Sequence, residues 1–209
     1  MKRILEACCG TAAKAQKAEM GGAARIELCE QLEIGGVTPS ESNIRETLSA
    51  CHTAKVNVLI RPRGGDFVYD RAEVEEMLAS IRLCKSLGVN AVVIGALDRD
   101  GQVDKEITAE LIAEARPLKV TFHRAFDECA DPARALDDII GLGCDRLLTS
   151  GHEATAYDGR FRIAELVRQA AGRIVIMAGC GVRAGNIDEI ERDSHADEFH
   201  SSSLELFTI

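Results

Sequence analysis

The stretch VNVLIRPRGGDFVYDRAEVEEMLASIRLCKSLG, residues 56–88, contains one complete structural repeat. It begins with a short apolar run, passes through a glycine turn and continues into a helical pattern. Asp70 and Glu73 are spaced as a capping box at the start of that helix, and Gly88 is placed to end it. The next apolar run, AVVIGAL, starts at residue 91. This order predicts two parallel strands joined by a helix that covers the sheet.

The same unit recurs along the chain, at intervals of about 20 to 35 residues. The apolar runs are ILEACC (4–9), RIELCE (25–30), VNVLIRPR (56–63), AVVIGAL (91–97), KVTFHRAF (119–126), RLLTSG (146–151), IVIMAGCG (174–181) and EFHSSS (198–203). Eight units predict a single-domain TIM-type (β/α)8 barrel over residues 1–209, and a doubly wound open sheet is the alternative. Only LELFTI follows the last run. We therefore expect the eighth helix to be missing and a second subunit to cover strand eight, giving a homo-oligomer.

Composition excludes several classes of protein. The net charge of −9, the 4% aromatic content and the absence of tryptophan argue against nucleic-acid binding. No run approaches the roughly 18 apolar residues of a membrane helix, and the first ten residues lack the features of a signal peptide. The eight cysteines show no zinc-type spacing. These observations predict a cytoplasmic protein with reduced thiols.

Polar side chains cluster near the predicted strand ends. In a parallel barrel, inward and outward residues alternate, and functional groups gather at the carboxyl ends of the strands. The side chains expected to point into the barrel or its mouth, or to lie just beyond a strand end, are Glu6, Cys8, Glu27, Cys29, Arg61, Arg63, His123, Arg124, Asp127, Ser150, Glu198 and His200. We expect the two arginines of strand three to form ion pairs with the glutamates of strands one and two. The alternative is a buried charge cluster that only fixes packing.

Two glycine-rich turns suggest an anion site. Gly179 and Gly181 precede a helix in the loop after strand seven, where many barrels bind phosphate on backbone amides. The Gly-Gly turn that ends at Asp66 could also approach a ligand closely, although an ordinary turn explains it equally well. Together with the arginines, these turns predict a small anionic or phosphorylated ligand. In an enzyme, His123 or a glutamate would act as acid or base.

Cys8 and Cys29 each follow a glutamate by two residues on neighbouring strands. Adjacent parallel strands lie about 4.8 Å apart, so two in-register thiols could share one soft metal ion. Thiolate pairs select Cu(I) over hard cations. Spacing alone favours the alternative, in which both cysteines are small buried apolar residues.

Several segments resemble the signature segments of the copper homeostasis protein CutC family, over essentially the full chain. They are RIELC (25–29), IRPRGGDFVY (60–69), TFHRAFD (121–127), LLTSG (147–151) and EFH (198–200). The resemblance implies a TIM-like barrel in the cytoplasm that handles copper and binds Cu(I) through barrel cysteines, which fall on Cys8 and Cys29. Other family positions fall on Glu6, Glu27, Arg61 to Asp66, Phe122 to Asp127, Thr149 to Gly151, and His200.

The chain departs from the family pattern at three places. Cys9-Gly10 follows the first strand's cysteine where the family usually runs to an aspartate. Strand seven reads MAGCG over residues 177–181 where the family usually has MPGGG, and the longer C-terminal segment is absent. The leading hypothesis is a CutC-type copper homeostasis protein that binds Cu(I). The alternatives are an enzyme for a small anionic or phosphorylated substrate held by Arg61, Arg63 and the strand-seven loop, and a non-catalytic ligand sensor.

Overall fold

The structure is a computed structural model that describes residues 3–207. Eight parallel strands form one closed barrel in sequence order, and this confirms the predicted TIM-type architecture. The strands are β1 Ile4–Cys9, β2 Arg25–Leu28, β3 Lys55–Leu59, β4 Ala91–Ile94, β5 Lys119–Phe122, β6 Arg146–Thr149, β7 Val175–Ala178 and β8 Glu198–Ser201.

Within residues 3–207, seven α-helices follow the first seven strands. They are α1 Ala12–Met20, α2 Glu41–Ala50, α3 Arg71–Leu87, α4 Lys105–Ala115, α5 Pro132–Leu142, α6 Arg160–Ala170 and α7 Ile187–Ser194. Short 3-10 turns occupy Leu32–Ile34, Arg124–Glu128 and Leu204–Phe207.

Local capping explains where these helices begin and end. Asp70 and Glu73 form the expected reciprocal capping box at the start of α3, and Gly88 ends that helix with a φ of 78°. Asp131 caps α5, whose first residue is Pro132. Proline fits this position because its missing N–H would have no helical partner there.

The strands start within one residue of their predicted positions, but most end earlier. For example, β3 ends at Leu59 and β7 at Ala178, although the apolar runs continue to residues 63 and 181. Ile60 still donates its N–H to the Val93 carbonyl beyond the end of β3. The remaining residues of each run therefore form the loops at the carboxyl end of the barrel.

Side chains alternate between the barrel interior and the layer beneath the helices. The outer layer contains the main apolar core, which includes the fully buried Ile26, Val58, Phe122 and Phe199. The interior instead holds buried polar side chains, among them Glu6, Arg25, Asn57, Thr121 and Glu198. The outer face is thus apolar, whereas the inner face is mixed, because Cys8, Cys29, Leu59 and Val93 form a small apolar cluster among its polar residues.

The segment after β8 shows how the barrel is finished without an eighth helix. Leu204–Phe207 forms a 3-10 turn beside α1, and its Phe207 backbone lies so close to Gly21 that a Cβ there would overlap it. On β8, Phe199 is fully buried, and the Arg3 guanidinium lies 5.7 Å from its ring centroid. The chain itself therefore covers β8 at Phe199. Homo-oligomer formation stays a prediction, which light scattering would test.

Within residues 3–207, no helix combines the length and apolar character needed to cross a membrane.

Candidate metal and ligand site at the barrel mouth

A cavity of about 670 Å³ opens at the carboxyl ends of the strands. Several of the predicted site residues contribute to its lining, namely Cys8, Glu27, Arg61, His123, Arg124, Asp127, Gly181 and His200. The volume lies within the range of small-molecule pockets. The predicted functional end of the barrel therefore contains a pocket large enough for a ligand.

The two predicted metal-binding thiols are in contact. Cys8 Sγ lies 3.4 Å from Cys29 Sγ and 3.7 Å from Glu27 Oε1, and both cysteines are buried. The expected in-register pairing of the thiols is wrong, because Cys8 stands opposite Glu27 in the sheet. Cys29 lies two residues further along the chain, on the same face as Glu27. Its sulfur consequently approaches Cys8 along the diagonal.

His200 completes this cluster. One potential ligand atom from each of Cys8, Glu27 and His200 lies within 4.8 Å of the others. His200 Nε2 is 3.8 Å from Glu27 Oε1. The hydrogen bond with Cys29, burial and the nearby Glu27 carboxylate raise the pKa of the Cys8 thiol well above its usual value. Without a cation, Cys8 is thus a protonated thiol, and a bound metal would displace its proton.

Glu6 fixes the orientation of His200 from inside the barrel. Its Oε1 lies 3.0 Å from His200 Nδ1, so the opposite ring nitrogen faces Glu27 and the mouth. Burial opposes the charge on both groups. The carboxylates of Glu27 and Glu6 nevertheless raise the pKa of His200, while His200 and Arg25 lower that of Glu6 to about 2. A carboxylate that holds one histidine nitrogen while the other faces outward is typical of metal sites.

Among residues 3–207, neither arginine of the mouth forms the ion pair expected with the glutamates of strands one and two. Arg25 instead pairs with glutamates inside the barrel. Arg25 Nε lies 2.8 Å from Glu6 Oε2, and its Nη2 lies 2.5 Å from Glu198 Oε2. Glu6 also accepts a hydrogen bond from Asn57, and Glu198 pairs with Arg146. The register explains the partner, because Glu6 and Arg25 stand opposite each other on neighbouring strands.

Arg61 is buried at the mouth, where backbone groups hold it. Its guanidinium donates to the carbonyl oxygens of Ile34, Gly36 and Gly65 at 3.3, 3.1 and 2.7 Å. It also lies 4.7 Å from the centroid of the Phe67 ring. Between residues 3 and 207, no carboxylate oxygen lies within 4.0 Å of this group. Arg61 therefore joins two mouth loops while its positive charge stays without a counter-ion.

Arg63 and Asp66 lie outside the cavity. Arg63 Nε contacts Glu73 at 2.5 Å, and Nη2 contacts Asp66 at 3.0 Å. The side chain of Arg63 is 39% exposed and that of Asp66 is 68% exposed. Arg63 is thus paired with Glu73, which caps α3, and does not line the cavity. The structure therefore gives no support to these two residues as ligand contacts.

Asp127 and Ser150 fasten the loops after β5 and β6. Asp127 accepts hydrogen bonds from the Ser150 N–H, the hydroxyls of Ser150 and Thr149, and Arg124 Nε. Ser150 is fully buried, and its hydroxyl oxygen also lies 2.7 Å from the Glu153 carbonyl oxygen, which competes with Asp127 for its single proton. These bonds occupy both carboxylate oxygens. Of this group, Arg124 extends furthest toward solvent, with its side chain 43% exposed.

His123 is neutral and holds an unused donor. Its Nδ1 accepts the Ala125 N–H at 3.1 Å and thereby caps the turn that begins at Arg124. Burial, followed by the positive charge of Arg61, lowers the pKa of His123 to about 3. The proton of the neutral ring therefore sits on Nε2. Nε2 is buried and has no hydrogen-bond partner in the described part of the chain.

The strand-seven loop supports only part of the predicted anion site. The Gly179 N–H donates to the Thr149 carbonyl at 2.9 Å, so this amide belongs to the sheet. A Cβ at Gly179 would lie too close to a methyl carbon of Leu148, so a larger residue there would require the Leu148 side chain to shift. Gly181 has a φ of 71° and lines the cavity next to the half-buried Cys180.

Comparison with known proteins identifies the family. The sequence profile of the CutC family matches residues 3–205. A family protein CutC from Parabacteroides distasonis is 52% identical over 206 residues, which cover 99% of this chain and 85% of that protein. One from Xylella fastidiosa strain Temecula1 is 50% identical over 199 residues, covering 95% and 74%. The chain belongs to the CutC family.

A solved structure supports the CutC assignment. A CutC protein of Streptococcus agalactiae, provisionally described as a copper homeostasis protein, aligns with a TM-score of 0.92 and 31% identity, covering 97% of this chain and 99% of that one. A protein described as an aldolase aligns with a TM-score of 0.73 at 15% identity, and this likeness shows the barrel fold alone.

Sequence reasoning missed the interior residues of this CutC barrel. Arg25 is the first residue of the second apolar run and alternates with Glu27, so strict period-two reading would have placed it inside. Asn57 could have been found in the same way, two residues before Leu59. Arg183, which lines the cavity from the loop after β7, carries no comparable signal.

Proposed function

We propose that this CutC-family protein takes part in copper homeostasis by binding Cu(I) through Cys8 and Cys29. The observation that carries the proposal is the 3.4 Å separation of the two sulfurs in a buried cluster at the mouth. Thiolates are the protein ligands best suited to Cu(I). The description of the S. agalactiae protein points to the same metal.

The neighbouring residues fit this ion. His200 would add an imidazole nitrogen, and Glu6 would hold that ring in place. Glu27, whose Oε1 contacts Cys8, is placed to take up the proton that the thiol releases. The ion requires reduced thiols, so the proposal also assigns the protein to a reducing compartment such as the cytoplasm.

The test is an anaerobic Cu(I) titration of the reduced protein against a competing chelator. We expect one tightly bound ion, and an affinity at least about 100-fold weaker in the Cys8→Ser/Cys29→Ser double variant. Cys9→Ser is the matched control, because Cys9 is buried on the opposite face of the same strand. Unchanged Cu(I) affinity in the double variant would show that the two thiols only fill space and would refute the proposal.

A further inference from the structure

The mouth contains a positive charge that the metal proposal does not use. Arg61 is only 6% exposed, and its hydrogen bonds go to three carbonyl oxygens. The nearby Tyr69 supplies no negative charge, since burial raises its pKa to about 12 even though Arg61 acts in the opposite direction. Buried charges are normally paired, so a lone guanidinium lining a cavity points to an anionic ligand.

His123 provides a second, independent indication. It is 5% exposed, lines the same cavity and contacts the Phe67 ring at a centroid distance of 5.0 Å. That ring also contacts Arg61. Its buried Nε2–H lacks a partner in the described chain. An unused buried donor next to an unpaired cation suits an oxygen acceptor that carries negative charge.

Glu27, Asp127, Glu128 and Glu153 also line the cavity, but among residues 3–207 none of their carboxylate oxygens lies within 4.0 Å of the Arg61 guanidinium. Asp127 accepts from Arg124, and Glu27 faces His200. Apolar side chains also line the cavity, including Leu32, Ile34, Leu59, Phe67 and Leu148. A volume of about 670 Å³ exceeds the size of a bare inorganic ion and, with this lining, fits a small organic molecule.

We propose that the mouth binds a small organic anion, with its carboxylate or phosphate group against Arg61 and His123 and its apolar body against the leucines. Nε2 of His123 is buried in this structure, so a neighbouring side chain must move before a ligand oxygen can reach it. This site goes beyond the Cu(I) proposal. It lies next to the thiols but uses none of the proposed metal ligands.

The experiment is calorimetric titration of reduced, copper-free protein with benzoate, phenyl phosphate and neutral benzamide. We expect at least one of the two anions to bind, and benzamide, which has the same ring, to bind at least about tenfold more weakly. The better anion identifies the head group as carboxylate or phosphate. Because copper is excluded, failure of this test is separate from failure of the Cu(I) titration.

Matched variants then assign the residues. Arg61→Gln should weaken binding of the anion by about tenfold or more, while Arg61→Lys, which keeps the charge, should retain most of it. His123→Asn keeps an acceptor for the Ala125 N–H but removes the Nε2 donor, and should weaken binding roughly three- to tenfold. Arg63→Gln is the control, because that arginine is already paired with carboxylates.

Three results would overturn the proposal. The first is no heat of binding with either anion up to about 10 mM. The second is equal affinity for benzoate and benzamide. The third is a failure of the variants to discriminate between the two arginines: either Arg61→Gln binds as the wild type does, or Arg63→Gln loses binding to the same extent as Arg61→Gln. Near-ultraviolet circular dichroism of each variant shows that the barrel is folded.

Discussion

The interior of the barrel and its mouth each bury an arginine, and the two arginines have opposite surroundings. Arg25, 7% exposed, lies between the carboxylates of Glu6 and Glu198. Arg61, 6% exposed, is held by carbonyl oxygens and an aromatic ring. The two arginines are thus equally buried, but only the charge of Arg25 is compensated by carboxylates. Inside the barrel, the carboxylates neutralise the arginine and the cluster has a structural role. At the mouth, the charge of Arg61 has no carboxylate partner and is available to an anionic ligand.

The same contrast extends to the neighbouring side chains. In the interior, Asn57 and Arg146 bond to the same carboxylates as Arg25. At the mouth, Glu27 Oε2 and His123 Nε2 are buried without hydrogen-bond partners among residues 3–207. Buried polar atoms are usually satisfied in native proteins. Thr121 Oγ1 in the interior is unsatisfied as well, but Glu27 and His123 line the cavity, where a ligand could satisfy them.

The largest effect on stability is expected from Arg25→Gln. The substitution leaves Glu6 and Glu198 buried without their shared cation, and we expect a loss of about 3–5 kcal/mol in the free energy of unfolding. Arg61→Gln removes hydrogen bonds to carbonyl oxygens and should cost only about 1–3 kcal/mol. Urea denaturation of both variants measures the difference. Equal losses in the free energy of unfolding would show that the two arginines do not differ in their contribution to stability.

Acid should lower the free energy of unfolding through His123. The pKa of this histidine is about 3 in the folded protein and 6.5 ordinarily, so between these values the unfolded chain binds a proton that the folded protein excludes. Relative to His123→Asn, the wild type should lose about 1.4 kcal/mol per pH unit as the pH falls through this window. Urea denaturation at several pH values tests this. A difference between the two proteins that does not change with pH would contradict it.

A smaller effect is expected from His200→Asn on Cu(I) binding. The variant removes the proposed imidazole ligand but leaves both thiols, so the affinity should fall about tenfold, less than in the double serine variant. The chelator competition described above measures it. If affinity were unchanged, the histidine would have no part in the metal site.

The smallest effect is expected from Arg63→Gln. Its partners are the half-buried Glu73 and the exposed Asp66, and Arg63 is itself 39% exposed, so solvent screens these ion pairs and they contribute little. We expect the free energy of unfolding to change by less than about 1 kcal/mol in urea denaturation. A much larger loss would show that this arginine belongs with the buried ones.

The sequence was sufficient to predict the barrel but not the partners of its charged residues. Strand positions follow from a repeated apolar pattern, and the α3 boundaries follow from Asp70 and Gly88. Whether Arg63 turns outward depends on Glu73, which lies ten residues away in the next helix. The diagonal approach of the two thiols likewise depends on strand register, which spacing within one strand does not determine. Contacts between elements were therefore the part that sequence reasoning missed.

Copper X-ray absorption spectroscopy of the Cu(I)-loaded, reduced protein tests most directly whether the mouth is the ligand-binding end. The account predicts a copper shell dominated by sulfur from Cys8 and Cys29, retained in Cys9→Ser and lost in the Cys8→Ser/Cys29→Ser variant. A shell of nitrogen and oxygen alone, or a sulfur shell that survives in the double variant, would contradict it.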